Sequence, residues 1–108
     1  MNIESLREYA ISFPDVTESF PFGDSVLVFK VLNKIFLLLP LDEMLLQFNV
    51  KCDPEKAIQL REEFPESVLP GYHMNKKHWN TIVVDGRLSS SKLMEMIQHS
   101  YKLARGKK

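Results

Sequence analysis

Two short runs, Ser25 to Val31 and Ile35 to Leu39, constrain the fold of this chain more than any other stretch. Both are built from β-branched, leucine and phenylalanine residues. The short loop Leu32-Asn33-Lys34 links them, so together they predict a hairpin. Neither run alternates apolar with polar positions. Strands that are apolar on both faces belong in the middle of a sheet rather than at its rim.

The rest of the chain supplies the partners for that hairpin. Val16 to Phe20 alternates weakly, and Pro21-Phe22-Gly23-Asp24 breaks it in a turn. After the turn Pro40-Leu41-Asp42-Glu43, the residues Leu46, Phe48 and Val50 alternate with Gln47, Asn49 and Lys51, the period of a strand with one wet face. Val68-Leu69 is a short apolar piece, and Trp79 to Val84 reads as a further strand closed by Asp85-Gly86. Three helices complete the pattern. Ile3, Leu6, Ala10 and Phe13 share one face of a helix from Ile3 to about Phe13, capped by Asn2 and ended by Pro14. Asp53-Pro54-Glu55 starts a second helix, with an aspartate to cap, a proline suited to the first turn and a glutamate at the positive end. Its inward residues are Ala57, Leu60 and Phe64. The last helix starts at Ser89 or Ser90 and runs to about Ala104, with Leu93, Ile97, Ser100, Tyr101 and Ala104 as its inner stripe and Gly106 at its stop. The order α-β-β-β-β-α-β-β-α does not alternate strictly. It predicts an α+β two-layer sandwich, a mostly antiparallel sheet of about six strands packed against helices.

With 108 residues, 44% of them hydrophobic and 26% charged, the chain fits one globular domain over residues 1–108 and is not disordered or collagen-like. The one cysteine, Cys52, excludes an intrachain disulfide and any multi-cysteine metal site. The longest apolar run, Ile35 to Leu41, falls far short of the ~20 residues of a membrane span, and the first residues lack the pattern of a signal peptide. A cytoplasmic location follows by elimination.

Net charge is zero, but it is unevenly laid out. Residues 1–66 carry six Lys/Arg against twelve Asp/Glu, whereas residues 67–108 carry eight against two. Such asymmetry points to a polyanion or an acidic protein as partner, unless folding intermixes the two segments.

Chemical motifs are scarce. Glycine-rich nucleotide loops, the H-E-x-x-H helix and the G-x-S-x-G elbow are missing. Cys52 sits beside a helix start that could lower a thiol pKa, although Asp53 opposes this; a small packed thiol is the commoner outcome. His73 and His78 lie five residues apart with His99 distant, and this spacing supplies no third metal ligand. No cofactor is expected. The segment Pro70 to Thr81 is different, for it gathers Tyr72, His73, Asn75, Lys76, Lys77, His78, Trp79 and Asn80 with no acid between Glu66 and Asp85. Lysine neutralises phosphate, asparagine bonds phosphate or base edges, and aromatic faces stack on bases. The competing account packs Tyr72 and Trp79 in the core and leaves the lysines on a solvated turn.

Gly71-Tyr72-His73-Met74-Asn75-Lys76-Lys77-His78-Trp79-Asn80-Thr81 resembles the hallmark stretch of the MmcQ/YjbR-like family. Pro21-Phe22-Gly23, Phe29-Lys30-Val31, Lys34-Ile35-Phe36, Lys51-Cys52-Asp53-Pro54-Glu55 and Ser100-Tyr101 resemble its other signatures, so the likeness covers essentially the whole chain. The resemblance implies a fold similar to frataxin-like and secretion-chaperone-like α+β proteins. It also implies DNA binding through a double-wing arrangement of β-hairpins, with no catalytic residues and no cofactor. On that reading Tyr72, His73, Asn75, Lys76, Lys77, His78 and Asn80 form the nucleic-acid-binding turn. The alternative is a protein- or small-ligand-binding module without nucleic acid. An enzyme built on Cys52 or the histidines is a third reading. A pI near 6.8 is low for a nucleic-acid-binding domain.

Overall fold

Leu32 and Asn33 both adopt left-handed backbone, with φ of 47° and 70°, and Val31 pairs directly with Lys34. The central hairpin therefore closes through two residues, and Lys34 belongs to the strand rather than to the loop. Two successive positive φ values match the right-handed twist of the flanking strands, which is why so tight a turn is accepted here. The computed structural model describes residues 1–71 and 74–106.

The elements run α1 (Ile3–Ile11), β1 (Val16–Ser19), β2 (Val26–Val31), β3 (Lys34–Pro40), β4 (Gln47–Lys51), α2 (Pro54–Glu63), β5 (Val68–Pro70), β6 (Trp79–Val83) and α3 (Ser90–Arg105). The six strands form one sheet in the order β1-β2-β3-β4-β6-β5, and every neighbouring pair is antiparallel. This is the expected α+β arrangement, and β2 and β3 are flanked on both sides as their apolar faces required.

One face of the sheet carries the helices. Phe29, Leu37, Leu39, Phe48, Val50 and Ile82 meet Leu6 and Ala10 of α1, Ala57 and Leu60 of α2, and Leu93, Ile97 and Tyr101 of α3 in the main core. On the other face a smaller cluster of Val28, Leu38 and Trp79 is buried, with Val26, Ile35 and Met74 against it. Trp79 does pack inward, but against the helix-free face.

The local chemistry at the ends is mostly as expected, with two differences. Asn2 and Ser5 form a reciprocal capping box, and Ser89, not Ser90, caps α3 by accepting from the Lys92 N–H. Helix α1 stops at Ile11; Phe13 lies beyond it, stacked on Tyr101 at 4.5 Å between centroids. Asp53 occupies the cap position of α2, but its carboxylate makes no capping hydrogen bond.

Ser100 is a polar residue in the middle of an apolar stripe, and the sheet explains it. The β2–β3 register shifts between Phe29 and Lys30, leaving Phe36 as an extra residue in β3. Opposite this bulge, the Ser100 hydroxyl donates to the Phe36 carbonyl at 2.5 Å and accepts from the Lys51 N–H at 2.8 Å. A helix hydroxyl thus repairs the ladder where β3 and β4 splay. Ser100→Ala strands a buried C=O and a half-buried N–H, so it lowers unfolding free energy by about 2 kcal/mol in urea titration. An unchanged midpoint would show that the bridge contributes nothing.

Candidate nucleic-acid interface

Register decides which residues share an end of the sheet. Val16, Val31, Lys34, Lys51, Pro70 and Trp79 all lie at one end, because each starts or finishes its strand there. Helix α2 starts at this end directly after β4. Helix α3 finishes there, since Ser100 meets Lys51 and Tyr101 donates to the Pro14 carbonyl at 2.8 Å. Two loops project from the same end: the Leu32-Asn33 turn between β2 and β3, and the 74–78 turn leading into β6. They are separated by about three strand spacings, or ~14 Å, with the end of β4 between them.

Cations from distant parts of the sequence gather on this end. Lys34, Lys51, Lys56, Lys76, Lys77 and Lys102 are brought there by β3, β4, α2, the 74–78 turn and α3. Among the described residues none of these six forms an ion pair. The ammonium of Lys51 lies 5.8 Å from the Trp79 ring centroid, directly across from it in the β4–β6 pairing. Asp15, Asp53 and Glu55 are the acids nearby, and Asp15 is occupied by Arg105 at 3.0 Å. The opposite end is acidic: Asp24, Asp42, Glu43, Glu66 and Asp85 occupy the turns there. Arg87, the cation among them, is held by Glu66 at 3.3 Å and Asp85 at 3.4 Å. Charge is separated along the strand direction, not between the two sequence halves. Folding removes Arg87, Arg105 and Lys92 (paired with Glu95 at 3.8 Å) from the basic set and adds three lysines of the acidic segment.

The 74–78 turn is braced from below. Arg61 of α2 donates from Nε to Asn80 Oδ1 at 2.7 Å, and from Nη2 to the carbonyls of Lys76 and, at 3.3 Å, Trp79. The Asn75 side chain accepts from the Lys77 N–H at 3.0 Å, and the Cys52 N–H donates to the His78 carbonyl at 2.8 Å. Asn75, Lys76, Lys77 and His78 are consequently exposed together on one turn. Asn80 is not with them. It is 1% exposed and faces the helix layer, because position 80 of β6 pairs with the core residue Val50. The structure thus takes Asn80 off the exposed turn and sets it against Arg61. Tyr72 and His73 lie outside the described residues. Sequence reasoning missed Lys34, Lys51 and Lys56, whose signal is positional: each flanks a turn or a strand-to-helix junction at the same end of the sheet.

The potential nucleophile is closed off. Cys52 is 4% exposed, and burial pushes its thiol above the usual cysteine value, outweighing the pull of Lys56 and Arg61. Iodoacetamide at about pH 8 should label native Cys52 at least about tenfold more slowly than the urea-unfolded chain. Equal rates would mean that the thiol is accessible. Burial, with Lys56 and Lys102 nearby, pushes the His99 imidazole below its ordinary value, and its Nε2 accepts from the Asp53 N–H at 3.4 Å. Among the described residues no group of three or more His, Cys, Asp or Glu side chains is placed to hold a metal ion. Among the same residues no helix is long and apolar enough to cross a membrane.

A family model described as YjbR matches residues 11–103, from the end of α1 to the last turns of α3. The chain belongs to the YjbR family. It is 36% identical to the uncharacterized protein YbdF of Escherichia coli O157:H7 over 93% of this chain and 81% of that one. It is 30% identical to the uncharacterized protein YjbR of Escherichia coli K12, over 96% and 87% of the two chains. Among solved structures, a Deinococcus radiodurans protein with the family domain DUF419 superposes with a TM-score of 0.87 at 39% identity, covering 93% of this chain and 75% of that one. A Pseudomonas syringae protein superposes with a TM-score of 0.79 at 26% identity, covering 97% of this chain and all of its partner.

Proposed function

We propose that this YjbR-family protein is a non-catalytic, cytoplasmic binder of duplex DNA that engages phosphates through the basic end of its sheet. The observation that carries this reading is the convergence on one end of six lysines that have no carboxylate partner among the described residues, while the opposite end is acidic. A polyanion is attracted to one end and repelled from the other, so the field orients the protein before contact. Lys51 sits centrally, and the Leu32-Asn33 and 74–78 loops flank it about 14 Å apart, close to the ~12 Å width of a major groove. Contact to phosphates fixes position and carries no sequence information by itself. With Asn80 buried and Asn75 Oδ1 committed to its own turn, few groups remain to read base edges, so binding is weakly sequence-selective.

Titrating a short duplex into isotopically labelled protein tests the orientation. Amide shifts are expected at Asn33, Lys34, Lys51, Lys56 and 74–78, with residues 41–45 and 85–87 unmoved. Shifts confined to the acidic end, or spread evenly over both, would overturn the proposed face.

A further inference from the structure

Behind the basic end, α2 and α3 lean together over β4 and β6 and leave a small chamber. Its inner wall includes the buried side chains of Val50, Cys52, Leu60, Ile82 and Met96, and one buried polar group, Asn80. The enclosed space is about 10 Å³, enough for a single heavy atom, and it opens outward past Lys56, Lys92, Glu95 and His99.

Asn80 is the anomaly. The bond from Arg61 Nε identifies the Arg61-facing arm of the carboxamide as its oxygen, so the other arm is the NH₂ group. That Nδ2 is buried and has no hydrogen-bond partner among the described residues. Interiors rarely leave a donor unmet, because it forfeits its hydration without replacement. The groups around it are mostly donors too. His99 accepts at Nε2 from Asp53, so in its neutral form Nδ1 carries the proton. Lys56 and Lys92 bring positive charge to the mouth, where Glu95 offsets part of it through its pairing with Lys92 at 3.8 Å. A cavity with spare donors and net positive surroundings calls for an acceptor anion. Its apolar wall disfavours a doubly charged phosphate, whose dehydration costs most, and favours a single delocalised charge.

We propose that the chamber is a carboxylate site, in which one oxygen of a small monocarboxylate sits on Asn80 Nδ2 and the charge faces Lys56 and Lys92. The site shares Lys56 with the DNA-binding face at its mouth, but its buried floor at Asn80 does not depend on DNA binding.

The test uses acetate as probe, titrated into labelled protein with sodium chloride holding ionic strength constant. The expected result is a saturable shift of the Asn80 side-chain NH₂ pair and of His99. Asn80→Asp keeps an acceptor for Arg61 but replaces the donor with an anion, and it weakens saturation by about tenfold or more. Lys56→Gln, an exposed change that leaves the fold intact, weakens it as well and decides the matter if Asn80→Asp does not fold. Absence of saturation overturns the proposal. So does a long-lived water detected at the Asn80 NH₂ group that acetate does not displace, and so does equally tight saturation by inorganic phosphate. None of these outcomes alters the shifts a duplex induces at 74–78, so the two readings fail separately.

Discussion

Lys51→Ala/Lys76→Ala/Lys77→Ala binds a short DNA duplex about a thousandfold more weakly than the parent at about 50 mM salt. The reasoning is one of counterions. Each lysine that neutralises a phosphate releases about 0.9 of a condensed cation, which is worth roughly one decade of affinity at that salt concentration. The three lysines stand on the end of β4 and on the braced turn opposite it, and among the described residues they form no ion pair whose loss would complicate the result. Alanine at 51 also removes a contact with the Trp79 ring, worth about 0.5–1 kcal/mol, so folding is little changed. The control is Arg87→Ala/Lys92→Ala, which removes two cations that already have carboxylate partners. It should bind as the parent does. Equal losses in both variants would mean that net charge alone, not placement, governs binding.

Gly71→Ala is the substitution expected to cost most stability, about 3 kcal/mol, the upper end of the range for overpacking a tight interior. A Cβ at position 71 would meet the Trp79 Cβ at 2.7 Å and the Trp79 carbonyl oxygen at 2.9 Å. The second contact is with backbone, so no rotamer change relieves it. The Gly71 N–H donates to that same carbonyl at 2.9 Å, so moving apart breaks the bond that joins β5 to β6. Thermal unfolding should fall by roughly 12–20 °C at this chain length. A fall of only a degree or two would show that the β5–β6 connection yields easily. Because the same strands hold the 74–78 turn, the variant should also lose duplex affinity while keeping every lysine.

The skeleton of the fold is readable in the residues because local signals agree there. Apolar runs on either side of Asn33 make the hairpin, Asp53-Pro54 starts a helix, and Ser89 and Gly106 bracket the last one. What could not be read is register. The β3 bulge at Phe36 gives no sequence signal, and so the hydroxyl of Ser100 reads as a misfit in an apolar stripe until the gap between Phe36 and Lys51 is seen. The candidate site divides in the same way. Asn75, Lys76, Lys77 and His78 are contiguous and fall on one exposed turn. Asn80 follows them in sequence but alternates to the buried side, because side-chain direction in a strand depends on where pairing starts. Lys51 and Lys56 come from a segment whose overall charge is negative, and only antiparallel pairing of β4 with β6 puts Lys51 opposite Trp79. Charge counted along the chain therefore places the polarity in the wrong coordinate: it runs along the strands.

The salt dependence of duplex affinity in the parent protein tests that polarity most directly. Four to five phosphate contacts on the basic end give a slope of log K against log salt of about −3.6 to −4.5. A slope near zero, or no measurable binding at about 50 mM salt, would contradict it and leave the lysine-bearing end without its polyanion.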